Sequence, residues 1–191
     1  MKMKKIIIVL LLSMLIVGCG TPRVQKYFEV ILKSLQDGNV EEMGKLNPKS
    51  EFSVDDEWTK IVIEGYKKMA YKIKNTKVDG DVAIINLDIK APDLTYYFPE
   101  FVDKVKELAF TNVGRNSEEM EKMGEKLAMD FFNEKLNSKD LKYLEKNIDV
   151  HFKKNGNNWE MDDENSKNKD FDEVMTFGFS KLGEAFGETK K

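Results

Sequence analysis

One histidine, one cysteine and one cluster of three acids are the residues whose types could do chemistry. His151 could act as a general base if a carboxylate oriented it in a cleft. The spacing around Asn155-Gly156 places Glu160 beside it across a hairpin. That register also turns the pair away from the core, so a solvated cross-strand pair worth about a few tenths of a kcal/mol is expected. Asp162-Asp163-Glu164 offers oxygen ligands but lacks the ordered spacing and glycine of a calcium loop, and reads as a solvated loop. No metal site, cofactor or catalytic residue is expected. Cys19 stands alone, which excludes an intramolecular disulfide.

Aromatic residues supply the other candidates. Tyr96, Tyr97 and Phe98 are consecutive, and Phe177 and Phe179 flank Gly178. One helix face cannot bury three consecutive side chains, so these five form a candidate binding surface, with tertiary burial as the alternative. Met120, Met123 and Met129 share helical spacing with Leu127 and Phe131 and read as packing.

The elements that position these residues begin after a leader. Lys2, Lys4 and Lys5 precede an apolar run from Ile6 to Val17 that only Ser13 interrupts. About 12 apolar residues are too few to span a bilayer, which needs roughly 20. A charged head, a short apolar run and a small residue at its end are the parts of a secretory signal. Ile16-Val17-Gly18-Cys19 resembles the lipobox of bacterial lipoproteins, in which a small residue precedes a cysteine that is acylated and becomes the mature N-terminus. The resemblance implies lipidation of Cys19, export, and anchoring to the cell membrane or outer membrane. Gly20 follows in place of an aspartate retention signal, which in a two-membrane cell would favour the outer membrane. Two or three acyl chains anchor firmly where one would be marginal.

The expected organisation is a signal peptide at 1–18, a lipidated tether at 19–23, one domain at 24–186 and a disordered tail at 187–191. Cleavage leaves 173 residues, enough for one domain with a real core. Without the leader lysines the net charge moves from −3 to −6. Arginine occurs only at positions 23 and 115, and no basic stripe with interleaved aromatics exists. A nucleic-acid partner is therefore not expected. Expected partners are the membrane, through the acyl chains, and an envelope protein or small ligand.

Val24, Tyr27, Phe28, Ile31, Leu32 and Leu35 mark an amphipathic helix that Gly38 ends. Asn39 with Glu42 reads as a capping box, and Ser53 as the cap of a helix through Met69. At Tyr71 the period changes to 2. Strands 71–77 and 81–90 follow, joined by a three-residue loop at Val78-Asp79-Gly80 that pairs Ile73 with Ile85 and Tyr71 with Leu87. Helices start at Phe98-Pro99 and at Asn116-Ser117. A strand follows over 141–154, with Asn155-Gly156 as a two-residue turn that pairs Phe152 with Trp159. Asp170 with Glu173 caps a last helix from Phe171 to Phe186.

These elements make an α+β domain, a curved antiparallel sheet packed against helices, with a helical insertion and a C-terminal helix. The stretches VQKYFEVILKSLQDGNVEEM, YKIKNTKVDGDVAIINLDI and HFKKNGNNWEMD resemble small secreted lipoproteins with a cystatin-like, nuclear-transport-factor-2-like cone domain of unknown function. The paired helices at 98–138 are an addition to the minimal pattern. The expected function is a non-enzymatic binding or interaction module of the cell envelope. A small-molecule carrier or an enzyme using a pocket inside the cone is the alternative.

Overall fold

The computed structural model describes residues 21–39 and 56–185. The leader, Cys19, the Asn39–Glu42 capping box, the Ser53 cap and the C-terminal tail fall wholly or partly outside those residues.

Helix α1 (Arg23–Gln36) buries Val24, Phe28, Ile31, Leu32 and Leu35 of the expected stripe, while Tyr27, at its edge, is 41% exposed. Helix α2 (Glu57–Lys67) starts behind Asp56, whose carboxylate accepts hydrogen bonds from Thr59 N at 2.8 Å and Thr59 Oγ1 at 2.9 Å. Its first described turn is thus capped by an aspartate, with one orphan backbone N–H satisfied.

Four strands follow in an antiparallel meander, β1 (Ala70–Asp79), β2 (Val82–Pro92), β3 (Tyr143–Asn155) and β4 (Asn158–Met161). Period-two alternation turns Ala83, Ile85, Leu87, Ile89 and Ala91 of β2 to one face, where they meet Ile148, Val150 and Phe152 of β3. Helix α1 is bolted across the sheet at both ends. Thr76 Oγ1 donates to Gln25 Oε1 at 2.8 Å, and Gln36 Nε2 donates to Met69 O at 2.7 Å.

Both hairpin turns differ from the expected registers. Asp79 pairs with Val82, so the first loop is the two residues Gly80-Asp81, not three. Asn155 pairs with Asn158, so the second is Gly156-Asn157. In each, glycine takes the first central position at φ +58° or +60°, as a type II′ turn requires. The parity conflict that an odd loop was expected to resolve in the first hairpin is resolved by a β-bulge at Lys74. It pairs Thr76 with Ile85 on one side and Ile73 with Leu87 on the other, all facing inward. In the second hairpin Phe152 opposes Met161 and Trp159 opposes Lys154. The faces are those expected, because the pairing moved by an even step.

Helices α3 (Phe98–Thr111) and α4 (Ser117–Leu136) form a hairpin between β2 and β3. Asn116 caps α4 by accepting from Glu119 N at 2.8 Å. Only the C-terminal end of α4 is buried, through Phe131, Phe132 and Leu136, while α3 buries nothing fully. The pair is an arm rooted in the core by one end.

The single closing helix expected from Phe171 to Phe186 is two short ones, α5 (Lys169–Met175) and α6 (Phe179–Ala185). Phe177 at φ +53° and Gly178 at φ +89° break the run. Gly178 N donates to Glu173 O at 2.8 Å, closing α5 with the bond of a Schellman motif. Asp170 and Glu173 are not its caps, since both carboxylates engage Lys146.

Candidate interaction surfaces

The five aromatics expected to form one surface are divided among three environments. Tyr96 is 61% exposed and meets Tyr97 edge-on at 5.2 Å. The Tyr97 hydroxyl accepts from Lys142 N at 2.9 Å and donates to Asp140 O at 3.0 Å, which ties the entry of the arm to its exit. Phe98 is half-buried at the start of α3, 6.2 Å from Phe101. Phe101 stacks on Phe131 and Phe132 at 5.4 and 5.2 Å, and Phe132 meets Phe179 at 5.3 Å. These rings are the root of the arm, each pair in the tilted or edge-on range that aromatic quadrupoles favour.

Phe177 belongs to the core instead. It is 3% exposed, lies 5.2 Å from the Tyr66 ring, and presses on Gly65 so closely that a Cβ there would sit 2.4 Å from Phe177 Cζ. Tyr66 donates its hydroxyl proton to Met175 O at 3.0 Å, and burial pushes its pKa up to about 12. The backbone of the break also binds, since Leu94 N donates to Phe177 O at 3.1 Å. Gly178 lies against Thr95, where a Cβ would meet Oγ1 at 2.6 Å. The sequence signal for this break was the glycine between two phenylalanines.

The expected His151–Glu160 pair does not form. Glu160 opposes Lys153 and accepts from Asn155 Nδ2 at 2.9 Å. His151 is gripped through its backbone. Asn168 Oδ1 accepts from His151 N at 2.8 Å, while its Nδ2 donates to His151 O at 3.1 Å and Asp162 O at 3.2 Å. Asn168 is 1% exposed and extends the β3–β4 ladder by one side-chain amide where β4 stops.

Asp162 is also a correction to the solvated-loop reading. It is 5% exposed and paired with Lys167 and, at 3.7 Å, with Lys153. The Lys167 hydrogen bond holds its carboxyl below the ordinary range despite burial. Asp163 and Glu164 are exposed, and Glu164 reaches Lys153 at 3.0 Å. Among the described residues no group of three or more His, Cys, Asp or Glu converges for a metal ion.

Two surfaces that spacing alone did not single out remain. At the tip of the arm Phe110 is 79% and Val113 83% exposed. Beside β1, a groove of about 570 Å³ opens against α1, lined by Lys26, Val30, Lys33, Tyr71, Lys72 and their neighbours.

Fold and surfaces together define an α+β protein with an open four-stranded antiparallel sheet, helices on one face and a helical arm. No protein-family model matches the chain, and no curated protein matches it. Among solved structures it is similar to a candidate lipoprotein (ycdA) from Bacillus subtilis subsp. subtilis str. 168. The identity is 20% and the TM-score 0.45, with 81% of this chain and 47% of that one covered. The chain thus spans about half the length of that structure, a likeness too distant to carry a functional reading.

Proposed function

We propose that the chain is an exported, lipid-anchored protein of the cell envelope whose folded part works as a non-enzymatic binding module. The anchor rests on the leader, where three lysines, a short apolar run and Gly18-Cys19 fit acylation of Cys19. Among the described residues no helix is long and apolar enough to cross a membrane.

The observation that carries the binding reading is the filled space between sheet and helices. Phe28, Ile31, Leu32 and Leu35 of α1 meet Ile85, Leu87, Val150 and Phe152 of the sheet, all 2% exposed or less. Phe28 touches Phe152 and Phe171 at centroid distances of 5.2 and 5.5 Å. A carrier or enzyme built inside a cone needs an interior cavity there, and packed apolar side chains occupy that position. Binding then falls to the outer surfaces, with the exposed Phe110 and Val113 of the arm tip as the apolar element available to a protein partner.

Metabolic labelling with a fatty acid tests the anchor. Wild type takes up label and Cys19→Ala does not; equal label in both contradicts the reading. For the module, an environment-sensitive apolar dye should show no stoichiometric site in the folded protein, and a saturable one-to-one site would reopen the cone reading.

A further inference from the structure

We propose that the outward face of α1 rests against an anionic bilayer surface. This inference builds on the lipid-anchor reading above. Helix α1 begins at Arg23, four residues beyond Cys19. At most ~3.5 Å per residue, its first turn lies within ~14 Å of the acylated sulfur. A helix so tethered must hold one of its faces close to the headgroups.

The face turned away from the core suits that position. Arg23, Lys26, Val30 and Lys33 recur at helical spacing opposite the buried stripe and are exposed, Val30 by 58%. Glu29, the one carboxylate lining the groove beside them, keeps its charge while accepting from Gln25 Nε2 at 2.8 Å, so the face still carries more cation than anion. Several lysines elsewhere are paired, as in Lys67–Glu64, Lys90–Glu145, Lys122–Glu118 and Lys135–Glu100. Arg23, Lys26 and Lys33 make no ion pair among the described residues. On a mature chain of net charge −6, this is a local excess of cation at the point where the tether meets the domain. A basic helix face with an apolar residue in its middle is the pattern that binds anionic interfaces.

The test uses the full acylated chain in vesicles. Because Cys19 is thioether-linked, V30C and the arm-tip control V113C each carry one free thiol. A bulky water-soluble maleimide reports access, with rates normalised to those in detergent. On vesicles of phosphatidylcholine with about a third phosphatidylglycerol, V30C should label at least ~5-fold more slowly than V113C. The difference should vanish on pure phosphatidylcholine, in about 0.5 M salt, where screening is within ~4–5 Å, and in an R23E/K26E/K33E background. Equal rates for V30C and V113C on anionic vesicles, with the protein floating alongside them, overturn the proposal and leave the anchor standing. Failure to float overturns the anchor, and the proposal with it. A V30C rate already at least ~5-fold below that of V113C in detergent, before normalisation, assigns the face to a protein contact and overturns the proposal.

Discussion

Glu173 is the residue where burial and charge are most closely set against each other. It is 2% exposed, and its carboxylate receives Lys146 on one oxygen and Lys181 at 2.7 Å on the other. Burial raises its pKa, but the two lysine hydrogen bonds outweigh burial and leave it below its ordinary value of 4.5. A carboxylate depressed in the folded chain adds stability above its unfolded pKa and loses it as pH falls through the folded value. Glu173→Gln should therefore cost about 1–3 kcal/mol at pH 7, since Lys146 is left partly buried without its partner. As pH falls below 4.5 that cost should shrink, because the unfolded carboxyl takes up a proton first and the folded one follows at lower pH. Urea melts at pH 7 and pH 3.5 measure it, and an equal cost at both would remove charge from the explanation. The sequence placed Glu173 as a helix cap three residues after Asp170. Nothing in that local pattern could reveal Lys146, which arrives from a strand 27 residues away.

At the scale of elements, the second hairpin shows what spacing can and cannot decide. Alternation in Val150, Phe152, Trp159 and Met161 made the inward face legible, and the structure keeps it. The register was not legible, because an Asn-Gly-Asn-Asn tip accommodates a turn with glycine second or glycine first. Type II′ geometry selects glycine first in both hairpins, and the bulge at Lys74 then restores the inward face. The energetic expectation moves accordingly. Phe152, 1% exposed and wedged against Phe28, should cost roughly 3–5 kcal/mol when truncated to alanine. Trp159, half-buried opposite Lys154, should cost about 1–2 kcal/mol. Parallel urea melts check the order, and a costlier Trp159→Ala would restore the Phe152–Trp159 pairing.

The break between α5 and α6 is the other element the helical pattern hid. Apolar residues on more than one face of the expected helix were its trace, and they are explained once Phe177 turns into the core while Phe179 joins the arm root. Gly65 is the counterpart of that turn. Gly65→Ala should cost about 1–3 kcal/mol, because the ring it strikes is held by Tyr66 and by a backbone at positive φ. In a Phe177→Ala background the same substitution should be close to neutral. A double-mutant cycle with no coupling between the two would contradict the contact.

Across the whole molecule, the α+β class and the sheet with helices on one face could be read from periodicity alone, since each element carries its own pattern. The candidate site could not, because five aromatics near each other in pattern are divided between core, arm root and surface by tertiary packing. The resulting architecture separates its tasks. A filled core sets the shape, an arm presents Phe110 and Val113 to solvent, and a basic helix face begins at Arg23, four residues after Cys19. All three acquire a function if Cys19 is an acylated N-terminus, which makes that residue the centre of the account. The most direct measurement is mass spectrometry of the N-terminal peptide from protein extracted out of its native membrane. The expected peptide begins at Cys19, lacks residues 1–18 and carries the added mass of a thioether-linked lipid with two or three acyl chains. A peptide that retains the leader, or a mature chain beginning with an unmodified Cys19, would contradict the account.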